Sequence, residues 1–337
     1  MTMSRPAGKS SWESISSLVQ RELAEVEEKV RLHSSIDAVD GILESLQDSP
    51  GKRLRPMLLL FSGQASGRLR PTHVDLAAAV ELVHCATLIH DDVVDNAEMR
   101  RGRPCVHRSW GETSAVLVGD ILFSEAFKLA AELNSPPVTR TLCTAVIQVC
   151  EGEVLQWQRS FDLDVSDAEC IEFLKRKTGS LCWGSCRVGA LLAGGAPEAI
   201  EALARFGEMF GTAYQIMDDC IDLFGASREE GKTLGCDLLC GRYTLPVIRA
   251  LAAGRGAGDA RLEDALRSGE SASARQLLLE EDVYREAAAS ARQEAEVRIR
   301  QAKAELAALE PSQAREALQD MADMVLRELP RPASVKG

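Results

Sequence analysis

Two stretches of this 337-residue sequence set three aspartates within five positions: Asp91, Asp92 and Asp95 in "HDDVVD", and Asp218, Asp219 and Asp222 in "MDDCID". Each follows an apolar run, "LVHCATLI" before the first and "FGTAYQI" before the second. On a helix the outer acids of each set lie four apart on one face, with the middle one displaced sideways. Asn96, Gly102 and Pro104 soon follow the first set and Gly225 the second, so both helices should stop there. The backbone dipole presents negative charge at such ends, so dipole and mutual repulsion act in the same unfavourable direction. A solvated acidic helix end is the common fate of such runs, but the apolar turns before these two argue against full exposure. A hard divalent cation with oxygen ligands removes the strain. Two such ends facing each other would form a cage for several Mg²⁺ ions, which bridge carboxylates to substrate phosphates.

Cations are spaced around these acids. "SPGKRLRPMLLL" (49–60) carries Lys52, Arg53 and Arg55, with Pro56 expected at a first helical position, and a helix N-terminus so charged is an anion site. Arg100 and Arg101 follow the first acidic set, Lys177-Thr178 opens another helical segment, and "EEGKTLGCDLLCGRYTLP" offers Lys232 and Arg242. Any one of these alone reads as a surface charge. Together they suggest a pocket for two phosphorylated groups, one held through metal ions and the other by Lys and Arg directly. Neither a Walker loop nor a Rossmann glycine fingerprint accompanies them, so nucleotides are not expected.

The elements that must position these groups are helices. Apolar residues recur at three and four through long Ala, Leu, Glu and Arg-rich runs such as "SISSLVQRELAEVEEKV" and "AREALQDMADMVLREL". Alternating Val/Ile/Thr segments are nearly lacking. The pattern predicts an all-α protein, one domain of ten or more helices over residues 11–330, with loose tails at 1–10 and 331–337. "AAGRGAGDAR" (252–261) reads as a Gly/Ala-rich loop within it. A net charge of −12, from 51 acidic and 39 basic side chains, disfavours nucleic acid as a partner. No apolar run approaches the roughly 18 residues of a membrane span, and "MTMSRPAGKSSWES" has no apolar core of a secretory signal. Ten scattered cysteines in a chain this long point to reduced thiols and a cytoplasmic protein. Cys182/Cys186 and Cys236/Cys240 have one-turn spacing, but no histidine lies beside either pair, so zinc is not expected there.

Seven motifs, "GKRLRP", "HDDVVDNAEMRRGRP", "WGETSAVLVGD", "GEVLQ", "KTGSL", "YQIMDDCID" and "GKTLGCDLLCGRYTLP", occur in an order that resembles the trans-isoprenyl diphosphate synthases, or polyprenyl synthetases, of medium- and long-chain type. The likeness runs from about residue 45 to about residue 328. It implies the isoprenoid synthase fold, a helical bundle around a central cavity, a homodimer, and Mg²⁺ as cofactor, with three ions. It further implies the condensation of isopentenyl diphosphate with an allylic diphosphate by ionisation, condensation and elimination. Carried over to matching positions, Asp91, Asp92, Asp95, Asp218, Asp219 and Asp222 supply metal ligands. Lys52, Arg53, His84 and Arg101 match the isopentenyl diphosphate site. Arg100, Lys177 and Lys232 match groups on the allylic diphosphate, and Thr178 and Gln215 the oxygen-bearing residues near the developing cation. His90 has no such match and is left to structure.

Departures from the family pattern are Pro50-Gly51 for a glycine pair, Arg242 for a lysine, and Trp183 where a small residue is usual. Trp183 would either narrow a cavity or pack in a subunit interface. Small residues Thr87 and Ala86, four and five before Asp91, with Val83 a further turn away, leave a product channel open. A product of C20 or longer, and C30 to C50 in particular, is the expectation, with membrane contact limited to product release at the surface. The competing readings are a short-chain (farnesyl or geranylgeranyl) synthase, a class I terpene cyclase, a non-catalytic subunit and a purely structural helical protein. The "GKRLRP" and His84 site opposes the cyclase, and two intact acidic sets oppose the last two.

Overall fold

Proline opens three of the longest helices, at Pro71, Pro136 and Pro197, where the missing N–H has no intrahelical partner to lose. A computed structural model describes residues 11–34, 51–100, 102–225 and 235–327; the expected tails, Arg101 and Lys232 lie outside them. In chain order the helices are α1 (Trp12–Ser16), α2 (Gln20–Ser34), α3 (Leu54–Ser66), α4 (Pro71–Val94), α5 (Val106–Trp110), α6 (Glu112–Glu132), α7 (Pro136–Gln158) and α8 (Asp167–Leu174). A five-residue π-helical segment, Lys175–Gly179, joins α8 to α9 (Ser180–Ala193). There follow α10 (Pro197–Phe224), α11 (Cys236–Leu239), α12 (Leu245–Ala257), α13 (Arg261–Arg267), α14 (Ser271–Glu280), α15 (Asp282–Glu305) and α16 (Gln313–Val325). Among the described residues the only strand pairing is a two-residue hairpin, Met99–Arg100 with Arg103–Pro104, turned by Gly102 at φ 78°. The protein is all-α, as the periodicity predicts.

Two apolar clusters hold the helices together. One gathers Phe206 and Phe210 of α10, Tyr284 and Ile299 of α15, and Leu318 and Met321 of α16. The other gathers Leu82, Val83 and Ala86 of α4 with Val118 and Leu122 of α6 and Leu142 and Val146 of α7. Helix α9 lies between them, packed on α3, α7 and α10. α4 is long and apolar enough to cross a membrane, but 67% of its most apolar window is buried in the molecule, which makes it a core helix. All ten cysteines are free thiols, and among the described residues none joins a metal-ligand group.

Two local readings change. Helix α3 begins at Leu54, so Pro56 is its third residue and not its first; the first intrahelical bond runs from the Met57 N–H to the Arg53 carbonyl at 3.0 Å. The proline is tolerated because its own N–H would have lacked a partner there. Most of the stretch read as a loop, 252–261, continues α12, which ends only at Gly258 with φ 71°. Packing decides this: a Cβ at Gly254 would come within 2.6 Å of the Tyr284 ring, so that glycine is a close-approach point between helices, not a turn.

Candidate functional site

Both acidic sets end their helices. α4 stops at Val94 with Asp95 as its C-cap and Asn96 in the left-handed region; α10 stops at Phe224. Arg100, fixed in the hairpin, clamps the buried Asp92 with its Nε 2.8 and 2.9 Å from the two carboxylate oxygens and a terminal nitrogen at 2.7 Å. Asp95 is ion-paired with Arg242, whose Nε lies 3.4 Å from Asp237 and whose terminal nitrogen lies 4.0 Å from Glu153. Asp91 lies 3.9 Å from the Lys177 ammonium, which is also paired with Glu153 and 3.5 Å from Gln156.

Lys177 and Thr178 stand on the π-helical segment, a locally underwound, wider turn of a kind frequent at functional sites. Gly152 of α7 lets that segment approach, since a Cβ there would meet the Lys177 backbone nitrogen at 2.7 Å. From the segment a relay runs to the second acidic set. The Thr178 hydroxyl donates to Gln215 Oε1 at 2.8 Å, and Gln215 Nε2 donates to Asp219 Oδ1 at 2.9 Å. The other oxygen of Asp219, a residue 5% exposed, has no hydrogen-bond partner. One chain of contacts, Asp91–Lys177–Thr178–Gln215–Asp219, links the two sets, and a second, Asp95–Arg242–Asp237, reaches the segment whose Gly235 N–H donates to the Asp222 backbone carbonyl at 3.2 Å.

The acids outnumber the cations, and burial adds to the cost of keeping them ionised. Burial, then the neighbouring Glu153 and Asp95, push Asp91 up to about 6 against the pull of Lys177. Burial and Asp237 push Asp222 up to about 6. Asp219 is raised well above the usual carboxylate range by burial and by Asp237, and Asp237 is itself raised by burial against the pull of Arg242. Burial works to lower Lys177, but Asp91 and Glu153 together hold it above its ordinary value. The donor set is hard oxygen throughout, its carboxylates outnumber the cations among them, and it leaves a buried carboxylate oxygen unpartnered, so it fits a divalent ion such as Mg²⁺. Among the described residues no three acids are gathered into a ready ion site; Arg100, Lys177 and Arg242 stand between them.

The candidate anion site is split by the structure. The Lys52 ammonium lies 5.7 Å from the Trp12 ring centroid and 5.9 Å from that of Tyr214. Arg53 is tied to the buried Glu81 and lies 3.6 Å from Glu27, which gives it a role in holding α2, α3 and α4 together. Arg55, quoted in the motif but assigned no role from sequence, has a buried Nε with no partner. His84 is half-buried. Reading from sequence also passed over Glu153 and Asp237; their signal was present as the acid in "GEVLQ" and in "GCDLLCGR". His90 places Nε2 3.0 Å from the Val116 carbonyl, a structural contact.

Beside the acids lies the α4–α6–α7 apolar cluster. Ala86 and Val83 are fully buried in it, whereas Thr87 is half-buried with its hydroxyl donating to the His84 carbonyl at 2.8 Å. Trp183 packs on the same cluster, under the Arg187 guanidinium at 5.7 Å.

Comparison with known proteins follows the same lines. The polyprenyl synthetase family profile matches residues 36–281. A short chain isoprenyl diphosphate synthase of Methanothermobacter thermautotrophicus is 36% identical over 289 residues, spanning 84% of this chain and 88% of the relative. The octaprenyl diphosphate synthase of Escherichia coli is 34% identical over 241 residues, spanning 71% of this chain and 75% of the relative. A crystal structure of a polyprenyl synthase from Caulobacter crescentus, complexed with calcium and isoprenyl diphosphate, superposes with a TM-score of 0.88 at 35% identity, covering 95% of this chain and 99% of that one.

Proposed function

This chain belongs to the polyprenyl synthetase family and is a prenyltransferase, and from that premise we propose that it condenses isopentenyl diphosphate with an allylic prenyl diphosphate to give a trans-polyprenyl diphosphate of C20 or longer, C30 to C50 in particular. The observation that carries the reading is two aspartate sets at helix ends tied together through Lys177 and Arg242, with the cations Lys52 and Arg55 of "GKRLRP" standing outside that network. Two diphosphates need two such regions, and a terpene cyclase needs only one.

Asp91, Asp95 and Asp218 are the residues we assign to hold Mg²⁺, with Asp92, Asp219 and Asp222 beside them. Held by these carboxylates, a divalent ion would supply the positive charge that stabilises a departing diphosphate. Lys177 and Arg100 contribute fixed positive charge to the same leaving group, and Arg100 is kept aligned by its two-pronged grip on Asp92. Gln215, oriented by Asp219, and Thr178 present oxygen toward the carbon that becomes cationic. Lys52, Arg55 and His84 hold isopentenyl diphosphate with its double bond against that carbon. Loss of a proton then restores the alkene; the released diphosphate serves as base, so no Ser-His or Cys-His pair is required. The apolar α4–α6–α7 wall keeps water from the cation.

Product length is read from the same wall. Thr87 and Ala86 put no bulky group on the α4 side of it, which favours elongation past C20; Trp183, Phe123 and Phe127, packed on the same cluster, favour a stop nearer C20. Residues 11–330 act as one synthase domain in the cytoplasm. A homodimer is supported by the apolar faces of α6 and α7, where Leu117, Ile147 and Val154 are 56%, 57% and 52% exposed. The test is incubation with labelled isopentenyl diphosphate, each allylic primer from C5 to C20, and Mg²⁺, with chromatography of the dephosphorylated products. Primer-dependent label in polyprenols of C20 or longer supports the reading; label that stays unincorporated with every primer, or a cyclic product without isopentenyl diphosphate, ends it.

A further inference from the structure

Arg242 stands where the family pattern has a lysine, and its position is more specific than a general counter-charge requires. Its guanidinium reaches carboxylates from three separate elements: Asp95 at the end of α4, Asp237 on α11 and Glu153 on α7. It is largely buried, with an 11% exposed side chain, and its Nε is buried with no hydrogen bond of good geometry. Lys177 makes the parallel connection, from Glu153 to Asp91. Asp95 is one of the acids assigned to the metal.

We infer that Arg242 is a resident counter-ion that a divalent metal must displace, a latch that holds Asp95 to Asp237 in the metal-free protein and makes metal binding weaker than the acids alone would allow. The inference rests on the reading of Asp91, Asp95 and Asp218 as metal ligands. A carboxylate oxygen paired to a guanidinium has to give up that pair before it can ligate an ion, and the planar fork of arginine spans two carboxylates where a lysine ammonium is a single point. Once released from Asp95, the guanidinium still has Asp237 and Glu153 within reach and lies beside the region assigned to the allylic diphosphate, with one of its three anionic partners removed. Arg242 is in this sense a positioning residue: it exchanges one anionic partner for another as the site loads. Binding of metal and of diphosphate is then coupled through it, and each tightens the other.

The experiment is Mn²⁺ binding followed by electron paramagnetic resonance, together with melting temperatures with and without Mn²⁺, for the full chain, Arg242→Gln and Arg242→Lys. The latch predicts a crossing. Without metal, Arg242→Gln melts lower than the parent because Asp95 and Asp237 lose their cation. With metal that deficit closes, and Mn²⁺ affinity rises at least tenfold, the lower bound for removing a unit charge a few ångströms from a divalent ion under water-like screening. Arg242→Lys keeps the charge and guards against misfolding; it binds Mn²⁺ more tightly than the parent but less than Arg242→Gln. Inorganic diphosphate tightens Mn²⁺ binding more in the parent than in Arg242→Gln. Unchanged or weaker Mn²⁺ binding in both variants overturns the latch while leaving the metal site intact. Failure of the parent and both variants to bind Mn²⁺, with or without diphosphate, takes the metal reading down with it.

Discussion

The Asp91→Asn variant should be inactive yet more stable than the parent protein once metal is stripped away. Burial and neighbouring acids raise Asp91 from 3.8 to about 6, a shift that already includes its attraction to Lys177. A carboxyl raised in the folded state contributes stability that is fully present below its unfolded value near 3.8 and lost as pH climbs through 6. At about 1.4 kcal/mol per unit, the fully ionised group costs about 3 kcal/mol at pH 8, and roughly half of that cost is already incurred at pH 5. Asparagine keeps the shape without the charge, and Lys177 keeps Glu153. For a chain of 337 residues, with an unfolding entropy of about 2.1 cal/mol/K per residue, 3 kcal/mol corresponds to about 4 °C. Differential scanning fluorimetry in EDTA at pH 8 should therefore find the variant melting about 4 °C above the parent, with the gap closing toward pH 4. Adding Mg²⁺ should raise the parent more than the variant. A variant that melts below the parent in EDTA at pH 8 refutes the electrostatic reasoning, because it would mean that the ionised carboxylate stabilises the empty site.

Arg53→Ala strands the buried Glu81 and should cost about 3–5 kcal/mol, seen as a fall in melting temperature, whereas Arg55→Ala should leave the melt nearly unchanged and raise KM for isopentenyl diphosphate at least tenfold. Thr87→Phe, at a half-buried position, should shorten the product without loss of stability, and Trp183→Ala should lengthen it, both read by chromatography of the polyprenols. Ala86→Phe, at a fully packed position, should cost about 1–3 kcal/mol in a urea melt. Trp12→Ala removes one of the two rings over the Lys52 ammonium; at about 0.5–1 kcal/mol per exposed cation–π contact it should raise KM for isopentenyl diphosphate two- to fivefold with little change in kcat, and Trp12→Phe should restore most of it.

The acids were legible from sequence because helical spacing and flanking breakers are local properties. The same pattern places Asp95 at a C-cap and Asp222 in a last turn. The ion pairing of Arg53 was not legible. It depends on Glu81 arriving from α4 and Glu27 from α2, and no spacing within "GKRLRP" records that. Glu153 and Asp237 were passed over for the same reason: each is a single acid whose role comes from Lys177 and Arg242 reaching it across the fold. The π-helical turn beneath Lys177 likewise depends on the missing side chain at Gly152, on another helix. Residues 252–257 were misread because glycine weighs against a helix locally, while packing of Gly254 on Tyr284 requires one.

Anomalous diffraction from crystals grown with Mn²⁺ and an unreactive allylic diphosphate analogue bears most directly on what the six aspartates do. Manganese peaks between the ends of α4 and α10, within ligand distance of Asp91, Asp95 and Asp218 and bridged to the analogue, are the predicted result. An analogue bound at the Lys52 region alone, with the aspartates bare of manganese and still paired to their arginines, contradicts it.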